Sequence, residues 1–281
     1  ASQREWDKHV GPFHLVMQED DPTFRLRRWQ PNGKPINTTE FKIPGLPWAT
    51  ASYQAYAKVL DLEDGDLLTA IEAQVGPPTK TEEVREDGRP RWKIDMTTFI
   101  VRSSDRGQTW DFVTAFRPEE NNLVYGIADL PVDEGFTEAD LVVTSNGDIL
   151  CVNRTGHYSP MWQTRSTDNG RTWGTPASVG WQGVKPRLTL LPNGVLTCAA
   201  GRGSYGHPQV THVMISLDGT GNHWEAPFCF HTGPGCSYTS TLVRDSQLHV
   251  VYSHSDFTRP FGTHNLPSQR IRRAVIDVKV A

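Results

Sequence analysis

The chain has 281 residues, a formal net charge of −4, 37% hydrophobic residues and 21% charged ones, the balance of an ordinary globular protein. The acidic sign argues against a nucleic-acid partner, which usually needs a basic surface, while leaving room for a local arginine cluster that holds a small anion. No run approaches the roughly 20 apolar residues of a membrane helix, so no membrane span is expected.

The opening ASQREWDKHVG lacks the form of a signal peptide. Localisation stays open, secreted or periplasmic included, because a leader is cut off on export. The 24 glycines and 20 prolines are spread along the chain. Short Val, Ile, Leu, Thr and aromatic runs alternate with turn residues, which predicts many short strands.

Taken in chain order, PFHLVMQ and FRLRRWQ read as strands of a partial or atypical unit over residues 1–48, with Arg25, Arg27 and Arg28 as spare cations. KVLDLEDGDLLTAIEA follows, two apolar strands around EDG, and then a long polar insertion, AQVGPPTKTEEVREDGRPRWKIDMTTF. The insertion leads into SSDRGQTW at Ser103–Trp110. The next hairpin, ADLVVTSNGDILCVNR, turns on SNG and precedes STDNGRTW at Ser166–Trp173. A third, PRLTLLPNGVLTCAAGR, turns on PNG and precedes a degenerate copy, SLDGTGNHW, at Ser216–Trp224. A fourth, STLVRDSQLHVVYS, keeps the strands without the glycine.

The turns carry the residues that a tight hairpin's positive φ angles require. The eight-residue S-x-D-x-G-x-T-W turn has a structural meaning. Its Asp bonds backbone N–H groups of its own turn, its Gly takes the special backbone angle, and its Trp packs between sheets. Asp105 and Asp168 are therefore staples and not catalysts. Repetition every ~40–50 residues means a propeller. The expectation is one all-β domain over 1–281, a β-propeller of four-stranded antiparallel blades, five or six in number, with four clear blades over 49–281.

Cys151 and Cys198 lie in apolar strand-like runs and read as buried thiols, while Cys229 and Cys236 flank FHTGPG and suit either free thiols or a short disulfide loop. No Cys/His spacing fits a metal site, and no cofactor motif is present.

Two intact boxes and one degenerate box resemble the Asp-box propellers of the sialidase superfamily over about residues 49–281. That resemblance implies roles for dispersed residues. Glu138 opens one inner strand and Arg154 ends the next strand, as in the sialidase Glu–strand–turn–strand–Arg element, where the Glu polarises the nucleophile and the Arg grips a carboxylate. Arg202 in CAAGR falls at the matching level of the next blade, and Tyr238 in GCSYTSTLV falls at the place of the catalytic tyrosine.

Residues that open innermost strands converge on the propeller axis, so Tyr56, Glu138, Lys185 and Tyr238 are expected to line it, with Lys185 and His157 joining Arg154, Arg202 and Glu72 as candidate substrate-binding residues. Asp95, before the strand that leads into the first box, is the candidate acid/base. Glu72 ends a second strand at the level of Arg154, where it would support a pocket arginine or bind a hydroxyl. The sequence departs from the family at two points: the strand that should open with an arginine reads SYQAYAKVL, and the region comparable to the acid/base loop of that blade is the long polar insertion.

The resemblance implies an exo-glycosidase that removes a terminal acidic sugar, sialic acid or a related ulosonic or uronic acid. The partner is then an acidic glycan or sugar, with no cofactor. Two alternatives remain open at this level. One is a non-catalytic propeller that binds carbohydrate or protein. The other is a polysaccharide lyase on the same scaffold, using Tyr238 with a histidine such as His157 in RTGHYSP or His254.

Overall fold

The computed structural model describes residues 13–18, 21–29, 34–46, 55–74, 79–84, 90–93, 96–116, 135–155, 160–201, 210–232, 238–244, 246–255 and 269–279. Among these, every regular element is a strand. The first sheet is β1 (Phe13–Gln18), β2 (Asp21–Trp29) and β3 (Pro35–Phe41). The second runs β4 (Leu60–Asp61), β5 (Leu67–Gln74), β8 (Met96–Ser103) and β9 (Asp111–Phe116). Within the polar insertion, β6 (Thr79–Val84) and β7 (Pro90–Lys93) pair as a separate hairpin. The third sheet is β10 (Phe136–Val143), β11 (Ile149–Thr155), β12 (Pro160–Ser166) and β13 (Ala177–Gln182). The fourth is β14 (Val184–Leu190), β15 (Leu196–Gly201), β16 (Val210–Ser216) and β17 (Phe228–Thr232). The fifth is β18 (Thr239–Arg244), β19 (Gln247–Ser255) and β20 (Gln269–Ile276).

Each sheet is an antiparallel meander, and each packs face to face on the next. Phe24, Leu26 and Phe41 of the first sheet meet Leu67, Phe99 and Trp110 of the second. Leu68 and Ile100 meet Leu141 and Ile149, Leu150 and Met161 meet Leu188 and Met214, and Val195 and Val213 meet Leu248 and Val250. This is a β-propeller. Among the described residues the second, third and fourth blades have four strands each, and the first and fifth have three.

The hairpins form as the sequence reads. Gly65, Gly147 and Gly194 have φ of 86°, 86° and 84°. A Cβ at any of them would meet nothing within 4 Å, so the demand for glycine is conformational and not steric. In the hairpin without glycine, Ser246 takes φ 60° instead.

The boxes join third strands to fourth strands. Asp105 Oδ1 accepts from Ser103 Oγ at 2.9 Å and from the N–H groups of Gln108 and Thr109 at 2.9 and 2.8 Å, and Oδ2 accepts from Thr109 Oγ1 at 2.6 Å. Asp168 repeats the set with Ser166, Arg171 and Thr172. Asp218 of the degenerate copy still binds Ser216 and Thr220.

Trp110 is fully buried and stacks on Phe41 with ring centroids 5.5 Å apart. Trp173, expected to be buried like Trp110, is half-buried and meets Phe116 edge to face. Cys151 and Cys198 are buried free thiols and Cys229 is exposed and free; Cys236 lies outside the described residues.

Candidate active site

The site is built at the starts of the innermost strands, which lie side by side. β10 does not begin smoothly. Its register with β11 shifts between Thr137 and Asp140, and Glu138 sits in that bulge with φ 50°. β14 repeats the device one blade later, with a shift between Val184 and Arg187 and Lys185 at φ 46°. A bulge re-aims one side chain out of the strand's alternation, here toward the axis. Left-handed backbone at a non-glycine residue costs on the order of 1–3 kcal/mol and gathers at functional sites.

Glu138 is the centre of the cluster. Tyr238 Oη donates to Glu138 Oε1 at 2.6 Å. Arg154 Nη1, from the end of β11, ion-pairs with the same oxygen at 3.1 Å. The backbone N–H of Lys185 donates to Glu138 Oε2 at 2.9 Å. Behind it, the Glu72 carboxylate accepts the Thr137 hydroxyl at 2.7 Å and the backbone N–H of Glu138.

Lys185 Nζ lies over two rings, 4.6 Å from the centroid of Tyr238 and 5.0 Å from that of Tyr56. Tyr238 is pinned by main-chain contacts to β19: its carbonyl accepts Ser253 N–H at 3.1 Å, and its N–H donates to Ser253 Oγ at 3.3 Å. Glu138, Arg154 and Lys185 are nearly buried, whereas Tyr238 is 36% exposed and opens the cluster to solvent.

The electrostatics follow from this packing. Burial first, then the charge and hydrogen bond of Glu138, push the Tyr238 phenol well above its ordinary range, against a smaller opposing effect of Arg154. Tyr56 is pushed up to about 12 by burial, then by Glu72 and Glu138. At neutral pH both are phenols, and Tyr238 is the donor in its bond with Glu138.

Two residues further along each of three blades lies a second layer. Lys58 follows Tyr56, Asp140 follows Glu138, and Arg187 follows Lys185. Asp140 joins them: Lys58 Nζ and Arg187 Nη1 each reach its carboxylate at 3.2 Å, and the N–H groups of Leu188 and Lys58 donate to it at 2.8 and 3.4 Å. Burial raises the Asp140 carboxyl, but Lys58 and Arg187 outweigh it and hold the group below its usual range. Burial lowers Lys58 by more than Asp140 restores.

The structure thus brings Glu138, Arg154, Lys185 and Tyr238 together around one carboxylate, with Glu72 behind it. Asp95, Arg202 and His157 lie outside the described residues, as do the side chains of Arg25, Arg27, Arg28 and His254. Sequence reasoning did not find the ionic layer. The constant step of two residues from Tyr56, Glu138 and Lys185 marks the level of these charges in the sequence but not which of them pair. No group of His, Cys, Asp and Glu among the described residues is arranged to hold a metal ion. Among them, no helix is long and apolar enough to cross a membrane.

Comparison with known proteins gives the same scaffold. A protein of unknown function from Dyadobacter fermentans superposes with a TM-score of 0.53 at 17% identity, over 95% of this chain and 96% of that one. An alpha-L-arabinanase of Penicillium chrysogenum, solved with arabinobiose, superposes at 0.54 and 17% identity over 80% of this chain and 63% of its own. A Hadza microbial sialidase does so at 0.54 and 17% over 82% of this chain and 41% of its own. The chain therefore spans less than two thirds of either glycosidase, and at these identities the likeness is one of fold. No curated protein matches the sequence. The model of the BNR repeat-like domain matches residues 57–250, a span that holds the three boxes together with Glu138, Lys185 and Tyr238, and the chain belongs to that BNR repeat-like family.

Proposed function

We propose that this protein is an exo-glycosidase that hydrolyses a terminal acidic sugar, sialic acid or a related ulosonic or uronic acid. The reading rests on one observation, the 2.6 Å hydrogen bond from Tyr238 Oη to Glu138 Oε1. A carboxylate beside the anomeric carbon repels a carboxylate nucleophile. A neutral phenol avoids the repulsion, and a tyrosine nucleophile is the sialidase exception to the two-carboxylate rule.

In this reading the Tyr238 hydroxyl proton moves to Glu138 Oε1 as Oη bonds to the anomeric carbon and the glycosidic C–O bond breaks. The leaving oxygen takes a proton from an acid, for which Asp95 is the candidate. Water then attacks the anomeric carbon and gives a proton to that residue's carboxylate. Tyr238 Oη departs and recovers its proton from Glu138. Because the resting Tyr238 is held neutral, attack and proton transfer are coupled. Arg154, paired with Glu138 at rest, and Arg202 orient the substrate carboxylate by charge-assisted bonds of about 1.5–3 kcal/mol each.

The test is a panel of methylumbelliferyl glycosides of sialic, ketodeoxynonulosonic and uronic acids, with alpha-L-arabinofuranoside beside them. At least one acidic glycoside should be cleaved, and Tyr238→Phe should abolish turnover while leaving binding nearly intact. Full activity in Tyr238→Phe rules out this mechanism. Binding without cleavage of any acidic glycoside points to a lectin-like propeller. An ultraviolet-absorbing unsaturated product points to a lyase, and cleavage of the arabinoside alone overturns the acidic-sugar assignment.

A further inference from the structure

Lys185 touches both members of the Tyr238–Glu138 pair. Its backbone N–H holds Glu138 Oε2 at 2.9 Å, and its ammonium lies 4.6 Å from the centre of the Tyr238 ring. Its carbonyl accepts the hydroxyl of Thr239, the residue after Tyr238, at 3.4 Å. The side chain is seated against Tyr56 on its other side at 5.0 Å. Both distances fall within the roughly 6 Å range of a cation–π contact. The residue is only 6% exposed, so its charge acts where water screens it little.

The backbone sharpens the point. Lys185 has φ 46°, a conformation that glycine fills without strain. The turn alone gives no reason for a long side chain there, whereas the contact with Tyr238 does. Among the described residues, the charged and titratable groups around the Tyr238 phenol come from three other blades. They are Glu138 at the start of β10, Arg154 at the end of β11, Lys185 at the start of β14, and Tyr56 ahead of β4, with Glu72 behind Glu138. Lys185 is the one whose charge lies over the ring face and not beside the hydroxyl's acceptor.

We propose that Lys185 is a positioning residue for the nucleophile: its ammonium stabilises the negative charge that spreads into the Tyr238 ring as the hydroxyl proton passes to Glu138 Oε1, while its N–H keeps Glu138 turned to receive that proton. The benefit to catalysis rests on the hydrolase reading above. The electrostatic contact itself does not, and it is measured without turnover.

The experiment places a fluorinated tyrosine, whose phenol is more acidic, at position 238 of the whole protein and follows its ionisation by fluorine NMR. Lys185→Met should raise the ionisation midpoint by about one pH unit, a tenfold change in the ionisation constant. Lys185→Arg should restore most of it. Lys185→Gly relieves the backbone, keeps the N–H and should match Lys185→Met; if Lys185→Met fails to fold, Lys185→Gly against Lys185→Arg carries the comparison. An unmoved midpoint in the uncharged variants overturns the proposal. In the glycoside assay, kcat should fall about tenfold with KM within about twofold. A raised KM with an unmoved midpoint would make Lys185 a substrate ligand and would equally overturn it. If no glycoside is cleaved at all, the hydrolase reading fails while the midpoint shift stands or falls separately.

Discussion

The Glu72 carboxylate accepts the backbone N–H of Glu138, so one acidic residue holds another by its main chain and not by its side chain. Its second oxygen takes the Thr137 hydroxyl. Glu72→Ala strips the acceptor from a buried N–H and a buried hydroxyl, which costs about 1–3 kcal/mol for each group left unsatisfied. Urea unfolding should show that loss. In the glycoside assay kcat should drop at least tenfold with little change in KM, because Glu138 loses its aim while the pocket stays.

Asp140→Asn should be among the most damaging single changes in the chain. It removes the charge that Lys58 and Arg187 share, and breaking a buried ionic group on one side costs about 3–5 kcal/mol. The triple change Lys58→Met, Asp140→Leu, Arg187→Met should recover most of the loss in denaturant melts, since well-packed apolar replacements of buried ion clusters are often neutral or better.

Acid should weaken the blades through the boxes. The Asp168 carboxyl is held down at about 2 by the hydroxyl and N–H of Thr172, and Asp105 lies at about 2 because the bonds from Thr109 and Ser103 outweigh partial burial. Both folded values lie below the roughly 3.9 of an unfolded Asp. Their contribution is therefore complete above about pH 4 and is lost as pH falls toward 2. The double variant Asp105→Asn, Asp168→Asn should show a shallower fall in melting temperature across that window.

Trp110→Ala should cost about 3–5 kcal/mol, the usual loss for a fully buried large aromatic. Trp173→Ala should cost clearly less, since its ring is only half-buried. Equal losses in urea titrations would mean that burial is not what the two box tryptophans contribute.

Arg154→Ala should weaken binding of a carboxylate sugar about tenfold, the loss of one charge-assisted bond of about 1.5 kcal/mol. Calorimetric titration into Tyr238→Phe, where turnover does not interfere, gives the comparison.

Much of this arrangement was readable because it is written locally. The glycines at 65, 147 and 194 announce their turns, each box Asp finds its partners within a few residues, and counting back from the turns puts Tyr56, Glu138, Lys185 and Tyr238 at one level. What escaped depends on partners far apart in sequence. Asp140 meets Lys58 and Leu188 from neighbouring blades, and nothing in a strand's own pattern says which charges will face each other across an axis. The bulges at Glu138 and Lys185 escaped for a different reason. Both carry residues that a left-handed backbone disfavours, so the usual glycine signal is missing where the strain lies.

The step of two residues between the axial groups and the ions beneath them separates two kinds of change. A substitution at 56, 138, 185 or 238 alters the cluster around Tyr238, while Asp140 ties three blades to one another. The upper cluster can thus change without rebuilding the ionic layer beneath it. An insertion or deletion of a single residue between 138 and 140 has the opposite effect, because it turns the ionic layer out of register and takes scaffold and pocket together.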